Sequence, residues 1–140
     1  YHIGGVKSQK YDIRSLMLDG DCLWIGTYAE GIRVLNLRTG SIKEYTHSRG
    51  IPNTICSNDV LCIYKDRKGE IFVGTSWGLC RYNPDADNFM TITSIGSMIS
   101  VGDIYEDMYN DQQRRVLLQY PERTLETFPA RTGRFDHHYQ

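Results

Sequence analysis

No apolar run in the 140-residue sequence is longer than a few residues; Leu23-Trp24-Ile25 and Val116-Leu117-Leu118 are typical. A spanning helix needs roughly 20, so no membrane contact is expected of this segment. Sixteen Lys and Arg against 17 Asp and Glu leave a net charge of −1 without any basic run. The electrostatic footprint of a nucleic-acid binder is missing, and no nucleic-acid partner is expected. No secretory leader is expected within this segment either. The chain opens on Tyr1 rather than a methionine, and the expectation is a piece of something longer. Cys22, Cys56, Cys62 and Cys80 form no CxxC pair, and their gaps of 33, 5 and 17 residues do not suit a zinc site. Free, partly buried thiols are the expected state. The alternative is one bridge, whose partners the sequence alone does not assign.

What is present is repetition. Ile13, Leu16 and Asp19 recur 47 residues on as Val60, Ile63 and Asp66; Gly26-Thr27 recurs as Gly74-Thr75, and Gly31 as Gly78. Asn36 falls on Asn83 and Tyr45 on Ile92. A fainter third copy starts at Val101-Gly-Asp-Ile104, carries a polar insert over Met108 to Arg115, and resumes with Val116-Leu117-Leu118, Leu125 and Phe128. The repeats are read as approximately 1–46, 47–93 and 94–140.

Within each copy, short apolar runs are separated by turn chemistry, and no apolar stripe at helical spacing persists beyond a turn or two. Four strands are predicted for the first copy: Ile13 to Leu18, Leu23 to Thr27, Ile32 to Leu37 and Ile42 to Thr46. Leu-Trp-Ile and Ile-Phe-Val are apolar at consecutive positions, so both faces of those strands must be covered. An antiparallel four-stranded unit of this length, covered on both faces by its neighbours, is a propeller blade. The fold class is therefore all-β, a β-propeller fragment of about three four-stranded blades. Helical solenoids of similar period would need apolar spacing that is absent here. Propellers close with about 4 to 8 blades, so the ring must be completed by other residues.

The run from Asn58-Asp-Val60 through Ile71-Phe72-Val73-Gly74-Thr75 to Gly78-Leu79 and Tyr82-Asn83-Pro84, together with Trp24-Ile25-Gly26-Thr27 in the first copy, resembles the two-component regulator propeller repeat. The resemblance implies a seven-bladed propeller in the periplasmic sensor region of a hybrid two-component histidine kinase, anchored in the inner membrane and detecting glycan fragments. It implies a non-enzymatic segment within a kinase parent.

Physically, Trp24 and Phe72 read as wedges between blades. Gly26 and Gly74, two residues on and on the same strand face, read as places where a neighbour comes close. Chemistry is expected in the turns between second and third strands and in the links between blades. Tyr28, Trp77 and Tyr120 are the ligand-facing candidates, read as one equivalent position, with Glu30, Arg49, Asn58 and Arg123 as polar partners. Aromatic faces beside polar groups suit an oligosaccharide or other small ligand; ordinary turn residues, or burial against a missing blade, are the competing reading. No catalytic residues, metal or cofactor are expected. His137-His138 would point to opposite faces of a strand, and Asp85-Ala-Asp87-Asn88, which lacks the elements of a calcium loop, reads as a solvated turn. The carboxylates Glu30, Glu44, Asp59 and Glu122 have no spacing that argues for glycosidase chemistry. An enzyme propeller of lyase or quinoprotein type, and a protein-interaction scaffold, are the alternative functions. The remaining blades of a longer chain are the expected partners, and the isolated fragment is expected to self-associate, two copies completing a six-bladed ring.

Overall fold

The computed structural model describes residues 12–93, 100–106, 115–119 and 125–129, and every regular element among them is a β-strand. Strands β1 (Ile13–Asp19), β2 (Cys22–Thr27), β3 (Ile32–Asn36) and β4 (Ile42–Tyr45) form one antiparallel meander in chain order. A second meander follows, built from β5 (Val60–Lys65), β6 (Ile71–Thr75), β7 (Gly78–Asn83) and β8 (Asn88–Thr91). A third sheet pairs β9 (Asp103–Glu106), β10 (Arg115–Gln119) and β11 (Leu125–Pro129). A fourth strand, which a complete blade of this kind would add, falls in residues 130–140, outside the described residues. The first strands converge, β1 against β5 and β5 against β9, as in blades that radiate from a common axis. This is the predicted all-β propeller fragment.

Local chemistry explains where strands stop. Asn36 Oδ1 accepts the backbone N–H groups of Arg38 and Thr39 at 3.0 and 3.1 Å, and its counterpart Asn83 accepts that of Asp85 at 3.1 Å. Such side-chain mimicry of a turn competes with continuing the ladder. Asp66 does the same between β5 and β6, accepting from Lys68 and Glu70. The ladder between first and second strands slips by one residue at the same place in both sheets, at Arg14 and at Leu61. Bulges of this kind re-aim a side chain, and this one lies beside the turns considered below.

The interface between the first two blades is one apolar layer. Trp24, Ile32 and Val34 of the first sheet pack against Val60, Ile63, Ile71, Val73, Cys80 and Phe89 of the second. The Trp24 ring stacks on Tyr45 at 5.8 Å and meets Tyr82 edge-on at 5.0 Å. Each such pair contributes about 0.5–1.5 kcal/mol beyond area burial. The repeated glycines work as the sequence suggested. A Cβ on Gly26 would lie 2.7 Å from Val60 Cγ1, and one on Gly74 would lie 2.6 Å from the backbone oxygen of Val101, so each glycine receives the start of the next blade. A polar stitch accompanies the contact, since Ser15 Oγ accepts the Ile63 N–H at 3.0 Å and Lys65 pairs with Asp19 at 3.2 Å.

A second stitch corrects the reading of Asp85-Ala-Asp87 as merely a solvated turn. Asp87 Oδ1 accepts the hydroxyls of Tyr45 at 2.5 Å and Tyr82 at 2.7 Å, and Oδ2 pairs with Lys43. Two of those three partners belong to β4, so the carboxylate fastens the outer strand of the first blade to the β7–β8 turn of the second. Asp87 adopts φ 54°, in the left-handed region that a non-glycine residue enters at a cost. Partial burial alone would raise its pKa, but the hydrogen bonds from Lys43, Tyr45 and Tyr82 outweigh that and hold the carboxyl below its usual value. Burial, and then donation to Asp87, push both phenols up.

Candidate functional site

The β2–β3 and β6–β7 turns stand side by side at one end of the blades, and a threonine organises each. Thr27 Oγ1 donates to Gly31 O at 2.8 Å and accepts from Glu30 N at 3.2 Å; Thr75 Oγ1 donates to Gly78 O at 2.9 Å and accepts from Trp77 N at 3.1 Å. The first turn is one residue longer, and Ala29 takes up the difference with φ 71°. Gly31 and Gly78, which close the turns, have φ of 75° and 130°, angles that suit glycine.

These hydrogen bonds revise the expected equivalence of the aromatic residues. Tyr28 N donates to Asp12 O at 2.8 Å, and Ser76 N donates to Asp59 O at 3.1 Å. Tyr28 is therefore the counterpart of Ser76, and Trp77 is the counterpart of Glu30. Sequence alignment hid this because the extra residue can be placed on either side of the ring. Both rings are nevertheless exposed at this end, Tyr28 at 50% and Trp77 at 58%.

The link between the blades completes the surface. Asn58 O accepts from Gly31 N at 3.0 Å, and Asn58 Oδ1 accepts from His47 N at 2.7 Å. Its carboxamide oxygen thus ties the link to the end of β4. Ser57 Oγ lies 3.3 Å from Ser76 Oγ and accepts the Asp59 N–H at 3.0 Å. Asn58, Ser57, Asp59 and Ser76, joined to the turns by these hydrogen bonds, form a polar band along the link, and Glu30 lies in the first turn. Arg49 lies exposed on the same link. Tyr120, Arg123, Glu122 and His137-His138 lie outside the described residues. Glu44 is away from this band, paired with the buried Arg33 at 3.1 Å on the strands.

Charge differs between the two turns. Arg14 pairs with Asp12 at 3.6 Å and lies 4.9 Å over the Tyr28 ring. Leu61 stands at the corresponding bulge of β5, and Asp59 Oδ1 is buried without a hydrogen-bond partner. Asp12, Arg14, Ser57 and Ser76 were not among the sequence-derived candidates. The 47-residue offset that places Asp12 on Asp59 was the signal that could have found them. Among the described residues, no three or more His, Cys, Asp or Glu side chains gather as a metal site would require.

Residues 54–77, which run from the link through the second turn, match the family model described as Two component regulator propeller. Over those residues the chain is similar to a two component regulator propeller repeat. The extracellular domain of BT4673 from B. thetaiotaomicron, assigned to a hybrid two component system, superimposes with a TM-score of 0.62 at 25% identity, over 85% of this chain and 17% of that one. A second structure of a BT4673 extracellular domain, assigned to a one component system, gives 0.63 at 25% identity over 90% and 18%. The extracellular domain of the hybrid two component system BT3049 from the same organism gives 0.50 at 25% identity over 82% and 14%. This chain thus spans less than a fifth of the length of each of these three extracellular domains. No curated protein matches it.

Proposed function

We propose that this segment is part of the extracytoplasmic sensor region of a two-component system histidine kinase, anchored in the inner membrane and facing the periplasm, and that the end carrying Tyr28 and Trp77 takes an oligosaccharide fragment. The observation that carries the reading is the pairing of two exposed rings, Tyr28 and Trp77, with the polar groups of the link beside them. Sugars present CH faces to aromatic rings and hydroxyl donors to carboxylates, so Tyr28 and Trp77 supply the platforms and Asp59, Glu30 and Asn58 the directional contacts. Arg49, exposed on the same link, supplies a further polar contact. Binding alters the kinase only by favouring one arrangement of the sensor over another.

The test is calorimetric titration of the intact sensor region with a panel of oligosaccharides. A binder is expected whose affinity falls about tenfold or more, about 1.4 kcal/mol, in Trp77→Ala. Absence of any binder, or a binder indifferent to Trp77 and Tyr28, overturns the reading.

A separate observation supports self-association of the isolated segment. Leu16 in β1 is 59% exposed, whereas Ile63, its counterpart one repeat on, is 7% exposed within the interface between blades. The face that β5 covers with a neighbour is uncovered on β1, and association of two copies would bury it. Light scattering is expected to show a species larger than the monomer that Leu16→Glu dissociates.

A further inference from the structure

The four thiols differ sharply in their surroundings. Cys62 lies on β5 with its Sγ 3.7 Å from Val101 O, and burial pushes it up to about 12. Cys22 is half-buried on β2. Cys56 and Cys80 are placed against each other. Cys80 sits on β7 directly opposite Thr91 of β8, and Thr91 Oγ1 lies 3.5 Å from Cys56 Sγ. Two residues before Cys80 and on the same strand face, Gly78 lacks a side chain, and the position of its missing Cβ is 3.6 Å from Cys56 Sγ. The glycine that closes the β6–β7 turn thus also leaves room for the Cys56 thiol. Cys80 belongs to the apolar layer between the blades, its Sγ donating to Val73 O at 3.8 Å, and Cys56 packs against that same layer.

We propose that Cys56 and Cys80 form a dithiol that closes into a disulfide, joining the link between the first two blades to β7. The oxidant is a second disulfide. The Cys56 thiolate attacks one sulfur of that disulfide, forming a mixed disulfide and releasing one thiolate. Cys80 then attacks the Cys56 sulfur, displacing the second thiolate, which takes up the Cys80 proton. Two protein thiols are oxidised to one disulfide and one disulfide is reduced to two thiols. Roles follow from environment. Cys56 is the more exposed of the pair, and the neighbouring Cys80 thiol lowers its pKa, which favours the attacking thiolate. Cys80 is fully buried and its thiol is pushed up by burial, which suits the partner that reacts only after Cys56 has been engaged.

The bond would close a loop containing β5 and β6 and end it one residue from Ser57, whose hydroxyl meets Ser76 beside Trp77. Oxidation therefore fixes the second turn to the link. The chemistry does not depend on the ligand proposed above.

The experiment uses the intact protein containing this segment, reduced and then exposed to oxidised glutathione, followed by alkylation, digestion and mass spectrometry. The expected result is one cross-linked peptide pair, Cys56 with Cys80, with the label on Cys22 and Cys62 unchanged. Tm should rise by roughly 5 °C and return on reduction with dithiothreitol. Cys80→Ala should instead accumulate glutathione on Cys56, because no second thiol resolves the adduct, and Cys56→Ser should show neither product. Recovery of Cys56 and Cys80 as free thiols after prolonged exposure, a stable glutathione adduct on Cys56 with Cys80 intact, or a bridge between any other pair would overturn the proposal.

Discussion

At the first blade's turn Asp12 is answered by Arg14, which also covers Tyr28; at the second, Leu61 replaces the arginine, Ser76 replaces the tyrosine, and Asp59 keeps an oxygen without a donor. The backbone bonds are the same in both, from the residue after the threonine to the aspartate that precedes the first strand. Comparing the two separates scaffold from site. Thr, Gly and the backbone of Asp recur because the turn cannot be built without them, whereas the side chains between them vary because the turn tolerates variation. A ligand site that differs from blade to blade is what such a scaffold permits.

The largest expected effect tests the scaffold half of that contrast. Alanine at Gly74 would put its Cβ 2.6 Å from a backbone oxygen, Val101 O, and 2.5 Å from Cys62 Sγ, whereas alanine at Gly26 would meet the end of a side chain, Val60 Cγ1, at 2.7 Å. Backbone yields less readily than a methyl group, so Gly74→Ala should cost about 3 kcal/mol and Gly26→Ala roughly half of that. Denaturant unfolding of the two variants measures it, and equal costs would show that the two interfaces give way alike.

Next in size is the stitch at Asp87, which has no counterpart in the first blade, where Gly40 occupies the equivalent turn. Asp87→Ala leaves two half-buried tyrosine hydroxyls without their acceptor and should cost about 2 kcal/mol. Because the folded carboxyl titrates below its unfolded value, its contribution is present above the ordinary carboxylate pKa of about 4 and disappears as pH falls through the lower folded value. Stability of the wild type should therefore decline more steeply with acid than that of Asp87→Asn. Parallel acid profiles would mean that the carboxylate's charge is not what fastens the blades.

Much of this architecture was legible in the sequence. Consecutive apolar pairs such as Trp24-Ile25 and Phe72-Val73 demand cover on both faces, and turn residues with fixed dihedral preferences set the strand ends to within a residue or two. Gly26 and Gly74 were readable as close approaches because a strand interior offers glycine no other advantage. Side-chain meetings across blades were not legible. Asp87 finds Lys43 and Tyr45 more than 40 residues away, and Cys56 finds Cys80 through a link that carries no periodic signal. The phase of Trp77 was misread for a different reason: apolar patterning cannot say which side of a tight turn holds an inserted residue, and only the threonine hydrogen bonds decide it.

The smallest effect bears on the comparison itself. If the two turns differ chiefly in one charge, that charge should be transferable. Leu61 occupies the bulge position that Arg14 occupies in the first blade, two residues after an aspartate in both cases, so Leu61→Arg should bring a guanidinium to Asp59 as Arg14 is brought to Asp12. A half-buried pair of this kind contributes on the order of 0.5–1 kcal/mol, a gain that salt should reduce. The reciprocal Arg14→Leu removes both the ion pair and the cation over Tyr28, at a cost of about 0.5–1 kcal/mol. For an oligosaccharide that donates hydroxyls to Asp59, Leu61→Arg should weaken binding despite the gain in stability, because the acceptor is then occupied from within the protein. Arg14→Leu should leave the contacts at Trp77 intact. If both substitutions change stability in the stated directions while binding follows Arg14 and ignores Leu61, the ligand is held by the first blade and Asp59 is not its acceptor.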